Sequence, residues 1–172
     1  MSNRSNKRLG NIEVLNAMIG YRNFAGAQGQ YNKLGDKNFC IFLEKDTALI
    51  LQEDGWNIKW TKPKIDDQED PKPFLPVAVG FGKYPPELVM ITSKGKTQLD
   101  EDTVALVDWP TVITNVDVIV RPYTWEGNGK SGIKAYVKEM YVTVEDMGNS
   151  NSLAQKYEDI PLDPDAAYNN AR

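Results

Sequence analysis

From Val116 onward, apolar and polar residues alternate with a period of two, the pattern of a strand that buries one face. Val116, Val118 and Val120 fall on one side, and Asp117, Ile119, Arg121, Tyr123 and Trp125 on the other. The alternation breaks at Glu126, Gly127, Asn128, Gly129 and Lys130, then resumes from Ser131 to Val144 with Lys134, Tyr136 and Lys138 sharing a face. A type I′ turn needs φ > 0 at both central residues, and Asn128-Gly129 meets that demand most cheaply. The segment therefore predicts a β-hairpin with a valine face toward the core and an opposite face that interleaves cations with aromatic rings.

Upstream, the same reading predicts a long first strand over Leu9 to Phe24, bent around Gly20, and then a glycine-rich loop at Gly26 to Gly29. Asn38 to Leu43 reads as a short apolar strand. Asp46 to Asp54 reads as a helix, with Ala48, Leu49 and Leu51 on or near one face and Gly55 as its stop. Trp56, Ile58 and Trp60 alternate with Asn57 and Lys59 at strand spacing, and whether the two tryptophans face core or ligand stays open. Pro63 to Pro73 holds Asp66, Asp67, Glu69 and Asp70 among prolines and lysines, an exposed acidic loop without EF-hand spacing.

Phe74 to Phe81 and Leu88 to Ser93 predict two further strands, paired as a hairpin around Tyr84, Pro85 and Pro86. Lys94-Gly95-Lys96-Thr97 lacks the earlier glycine of a phosphate-binding P-loop, because Met90 stands there, and reads as a lysine-bearing turn. Asp100 caps a short helix from Glu101 to Asp108, which Trp109-Pro110 ends. The order strand, strand, short helix, strand, strand behind a long bent strand matches the OB-fold, a five-stranded Greek-key barrel. The fold expected is thus mainly β, with one domain over residues 9–145, residues 25–73 inserted as an elaborated first loop, and 146–172 as a flexible acidic tail.

Composition narrows the chemistry. The 172 residues contain no histidine and one cysteine, which removes the commonest general base, excludes an internal disulfide and leaves no ligand set for structural zinc. Cys40 sits in the apolar run Phe39 to Leu43 and reads as core. No apolar run approaches the ~20 residues of a membrane span, so a cytoplasmic protein is expected. The overall charge of −4 divides unevenly, with a net +4 through Lys64 and −4 from Glu145 onward. Such asymmetry fits a basic face with an acidic tail.

Rings that stack on bases and cations that follow phosphates suit single-stranded nucleic acid. Tyr123, Trp125 and Tyr136 are the stacking candidates. Arg22, Lys37, Lys94, Lys96, Arg121, Lys130, Lys134 and Lys138 are the phosphate candidates. No cofactor is expected. Packing of the same rings against a neighbouring protomer, as in an assembly protein, is the rival reading, and a magnesium-dependent nuclease built on the acids near Asp100 is a third.

Tyr21-Arg22-Asn23-Phe24 with Gly26, Gly35 to Phe39, Asp54 to Lys59, Ile91 to Thr97, Arg121-Pro122-Tyr123 and Gly132 to Tyr136 together resemble a family of small single-stranded DNA-binding proteins from tailed bacteriophages. The resemblance implies non-enzymatic coating of replication or recombination intermediates inside an infected bacterium. It also implies that replication or recombination proteins are met through the acidic tail, and it allows a homo-oligomer. Asp159-Ile160-Pro161-Leu162 is similar to the acidic, apolar tip of such tails, although ten residues follow it. The tail is expected to compete electrostatically with DNA for the basic face.

Overall fold

The computed structural model describes residues 9–62 and 70–145. Its strands are β1 (Ile12–Val14), β2 (Met18–Asn23), β3 (Asn38–Phe42), β4 (Lys59–Trp60), β5 (Pro73–Ala78), β6 (Glu87–Thr92), β7 (Gly95–Leu99), β8 (Ile113–Gly127) and β9 (Lys130–Val144). One helix, α1 (Lys45–Asp54), follows β3, and a short 3-10 helix covers Val104–Val107.

The predicted hairpin is the longest ladder, running from Ile113↔Val144 to Gly127↔Lys130. Asn128 and Gly129 take φ of 52° and 73° at its tip, as a type I′ turn requires. Val116, Val118 and Val120 are buried, as are Ile133, Ala135, Val137, Met140 and Val142 across from them. The three-residue step from Val137 to Met140 marks a β-bulge: Val120 pairs with Val137 and Ile119 with Glu139, leaving Lys138 as the extra residue. The bulge restores the core face below it and turns Lys138 outward.

The first strand, expected over Leu9 to Phe24 with a bend around Gly20, appears instead as two short ones separated at Leu15–Ala17. Asn16, with φ of 50°, kinks the chain between them, its N–H held at 2.8 Å by Asp117 Oδ1, while the Ala17 N–H bonds Val116 O at 2.7 Å. The hydrogen-bonded path runs β1-β8-β9-β5-β3-β2. Its two ends are joined by Leu15–Ala17, so the chain itself spans the gap between β1 and β2. With β1 and β2 taken as one strand, five strands form a circuit in which β5 runs parallel to β9 and the other neighbours are antiparallel.

That circuit differs from the expected one in its second and third members. β3, expected inside a loop insertion, is a central strand between β2 and β5, and its Phe39 and Ile41 are fully buried. β5 and β6 do not form a hairpin. Both run parallel to β9 and follow one another along its free edge, at Val77↔Ala135 and then Glu87↔Glu139. The connector Val79–Pro86, eight residues with two adjacent prolines, is too long for a tight turn. The hairpin lies one step later, where the lysine-bearing turn leads from β6 into β7.

Smaller corrections follow from the same packing. Only Lys59–Trp60 forms a strand in the Trp56 region. Trp56 itself is buried and makes a single bridge to Ile133. The segment after Asp100 closes as a turn and a 3-10 helix, with Asp100 Oδ1 accepting from the N–H groups of Asp102 and Thr103. Leu49 points outward from α1, where Ala48 is the buried residue. Cys40 is half-buried on the outer side of β3 rather than in the core, because Phe39 and Ile41 hold the inward positions. Apart from Asp70, the acidic run at Asp66–Asp70 lies outside the described residues, as does the tail at 146–172.

Candidate nucleic-acid interface

The period of two places Arg121, Tyr123 and Trp125 outward, and the ladder sets them opposite Tyr136, Lys134 and Gly132. Ring and cation therefore face each other across the strands. Trp125 lies over Gly132 so closely that a Cβ there would meet three of its ring atoms at 3.0 Å. The indole is thereby laid along the sheet with 42% of the residue still exposed, and Tyr123 beside it is 54% exposed.

Tyr136 plays a different part. It is half-buried, meets Tyr123 edge-on at 6.0 Å and 87°, and rests against Gly80, whose added Cβ would sit 3.3 Å from its ring. Two cations already occupy its surroundings, Arg121 at 5.4 Å and Lys134 Nζ at 5.2 Å from the ring centroid. Such contacts fix a cation's position while leaving its outer side to a ligand. Tyr136 thus organises the cations, whereas Tyr123 and Trp125 present exposed ring surface.

The β5–β6 connector adds residues that strand reasoning missed. It folds over the hairpin so that the Tyr84 ring lies 5.9 Å from the Arg121 guanidinium, on which Tyr136 also bears, and Lys83 Nζ is 5.5 Å from the Tyr84 ring. Only the non-local packing of this loop brings Tyr84 to the face. The outward positions of β3 and β5 carry a second aromatic group, Phe42 and Phe74, with ring centroids 6.0 Å apart. Tyr21 joins them at 5.9 and 5.7 Å, turned to that side by a register shift in β2 and its own φ of 49°. Alternation in β3 and β5 could have shown Phe42 and Phe74 to be outward, but the β2 irregularity has no sequence signature. Ala78 pairs with Tyr136, so the two aromatic groups share one continuous outer surface.

Seven of the eleven predicted contact residues gather on the hairpin: Arg121, Tyr123, Trp125, Lys130, Lys134, Tyr136 and Lys138. Lys130, Lys134 and Lys138 are all exposed. The other four stand elsewhere. Arg22 donates through one guanidinium nitrogen to Val107 O at 3.0 Å and Thr111 O at 2.8 Å, clamping the 3-10 segment to β2. Lys37 Nζ donates to Phe24 O at 3.0 Å and braces the β2–β3 loop. Lys94 lies in the β6–β7 turn and Lys96 pairs with Ile91, whose other partner, Thr143, lies seven residues or about 23 Å along β9 from Tyr136.

Between these regions the outer face becomes acidic. Glu13, Asp117 and Glu139 line a shallow cleft with Leu15, Ile119 and Tyr141. The Tyr141 hydroxyl donates to Glu139 at 3.1 Å, and that hydrogen bond, followed by the charge of Glu87, raises its pKa. Phosphates are repelled there, so the cationic surface ends at Lys138. On β3, burial pushes the Cys40 thiol up to about 11 against the opposing pull of Lys59. Among the described residues, no group of three or more potential ligands is placed to hold a metal ion, and no helix is long and apolar enough to cross a membrane.

A five-strand circuit with a parallel contact between its third and last members, a helical segment before the fourth, and rings alternating with cations on its outer face is the arrangement of an oligonucleotide-binding fold. Two solved structures share it. One is the single-stranded DNA-binding protein from bacteriophage Enc34, C-terminally truncated, at 14% identity and a TM-score of 0.50 over 80% of this chain and 87% of that one. The other is the Enc34 protein in complex with single-stranded DNA, at 15% identity and 0.51 over 80% and 88%. A comparison with curated protein sequences finds no match. The chain belongs to the phage single-stranded DNA-binding domain family, whose model matches residues 1–170.

Proposed function

We propose that single-stranded DNA, the ligand of this family, crosses the strands on the outer face, with bases stacked on Trp125 and Tyr123 and phosphates held by Arg121, Lys130, Lys134 and Lys138. The observation that carries this reading is the registered alternation of ring and cation on β8 and β9, extended by Tyr84 and Lys83 from the connector. Stacking uses the π-face that every base has, and phosphate contacts carry no sequence information, so binding is tolerant of sequence. Each stacked base contributes roughly 1–3 kcal/mol. From Tyr136 the path continues over Ala78 and Cys40 toward Phe74, Phe42 and Tyr21, because the acidic cleft at Glu13, Asp117 and Glu139 closes the other direction.

Residues 9–145 form the DNA-binding unit in this proposal, and the acidic segment 146–172 is appended to it. The protein acts without chemistry, protecting single strands during replication or recombination of phage DNA in the host cytoplasm. Fluorescence titration with oligo-dT and with duplex of equal length, at two salt concentrations, tests the reading. Preference for the single strand with a steep fall in affinity at higher salt is expected. No binding at low salt overturns it and favours an assembly protein whose aromatic face meets another protomer.

A further inference from the structure

At the end of the sheet remote from the hairpin tip, large apolar side chains stand in water on a segment that is firmly held. Leu106 is 53%, Trp109 79% and Val112 49% exposed. The segment is fixed from two sides. Arg22 bonds the carbonyls of Val107 and Thr111 and lies 5.9 Å from the Trp109 ring centroid, and the Asp108 carboxylate accepts from the N–H groups of Phe24 and Ala25 at 2.6 and 2.8 Å. The Thr111 hydroxyl adds a bond to Leu106 O at 2.8 Å. Ordering a segment costs backbone entropy, and here the ordered residues hold an indole that buries little against its own domain. A rigid exposed tryptophan flanked by aliphatic residues is the composition of a docking surface.

The position of this patch names its occupant. Glu145, the last described residue, donates its N–H to Val112 O at 2.9 Å, so the remaining chain leaves beside the patch. On the other side of β9, continuing the register beyond Ile91↔Thr143 puts Ser93 next to Glu145 and Lys94 just beyond, with Lys96 one strand further out on β7, opposite Ile91. The exit point is therefore flanked by an apolar surface on one side and the lysine-bearing β6–β7 hairpin on the other. Residues 153–162 carry the complementary pattern, with Leu153, Tyr157, Ile160 and Leu162 apolar and Glu158 and Asp159 acidic.

We propose that residues 153–162 dock on the Leu106–Trp109–Val112 surface of their own chain, with Lys94 and Lys96 meeting the carboxylates. Tethering supports even a weak contact, since a short linker holds its segment at an effective concentration of roughly millimolar. The two lysines then serve the acidic segment rather than DNA. This goes beyond DNA binding and is tested without DNA, so its failure leaves the DNA reading untouched.

The experiment is acrylamide quenching of tryptophan emission in the full-length protein, with the Trp109 contribution isolated by comparison with Trp109→Phe. A shielded, blue-shifted Trp109 is expected in the parent. In the full-length Ile160→Ser/Leu162→Ser variant its emission shifts to the red and its quenching constant rises. Lys94→Glu/Lys96→Glu produces the same change without touching an apolar residue. Equal quenching of Trp109 in the parent and the Ile160→Ser/Leu162→Ser variant overturns the proposal. Shielding that disappears on dilution overturns docking within one chain and makes the patch a contact between copies.

Discussion

Gly132 sets the position of Trp125, and replacing it separates DNA binding from stability. An ideal Cβ at residue 132 stands 3.0 Å from Cε2, Cζ2 and Nε1 of the indole, where ordinary contact begins near 3.4 Å. Gly132→Ala therefore lifts the ring by a few tenths of an ångström, which an exposed side chain tolerates. Gly132→Val adds two methyl groups on that Cβ and takes the ring's seat on β9, so the indole swings off the sheet. Under the proposed stacking on Trp125, the lost interaction is one stacked base, about 1–3 kcal/mol, or roughly fivefold to 150-fold in affinity. Stability moves the other way or stays level. Glycine in a strand interior costs roughly 0.5–1 kcal/mol relative to alanine, and β-branched residues suit exposed strand positions. Oligo-dT anisotropy titrations and urea melts of the Ala and Val variants, each in the parent and in a Trp125→Ala background, give the test. Affinity should fall in the order Gly, Ala, Val with unchanged or raised melting midpoints, and Gly132→Val should add nothing once Trp125 is absent. Parental affinity in Gly132→Val, or an equal loss in the Trp125→Ala background, refutes the stacking role of the indole.

Lys134→Ala is expected to reduce the slope of log affinity against log salt by about 0.7, the value for one phosphate contact to a single strand. Lys94→Ala should leave that slope unchanged, because it stands beyond the acidic cleft, and the two salt titrations check this directly. Bound oligo-dT should protect Cys40 from a thiol-alkylating reagent, since the proposed path crosses β3, and equal alkylation rates with and without DNA would place the strand elsewhere. The raised Cys40 pKa favours the neutral thiol in the folded state. Its contribution to stability is therefore present below the ordinary thiol pKa and is lost as pH rises toward about 11, a trend readable by comparing pH-dependent melts of the parent and Cys40→Ser. Phe39→Ala should cost about 3–5 kcal/mol in urea unfolding, because Phe39 stacks on Phe24 at 5.2 Å in the centre of the core, and a loss near zero would return β3 to the status of a peripheral insertion.

What the sequence determined by itself is the local part of this protein. A period of two fixes which residues of β8 and β9 share a face, and Asn128-Gly129 fixes where the chain turns, so the pairing of Arg121, Tyr123 and Trp125 with Tyr136, Lys134 and Gly132 follows from adjacent residues alone. Gly55, with φ of 105°, ends α1 for an equally local reason. Tertiary structure decided everything that depends on partners distant in the chain. The second edge of β9 can accept any strand with one apolar face, and β5 and β6 both qualify, so their parallel placement end to end is set by how Leu75, Val77 and Leu88 fill one core rather than by any turn. That placement carries the connector over the hairpin and brings Tyr84 to Arg121. It also sends Lys94 and Lys96 to the far end of the sheet, away from residues whose charge and spacing look alike in the sequence. Charge and aromaticity are properties of residues, but a binding face is a property of register, and register between distant strands is chosen by the packing of the whole core.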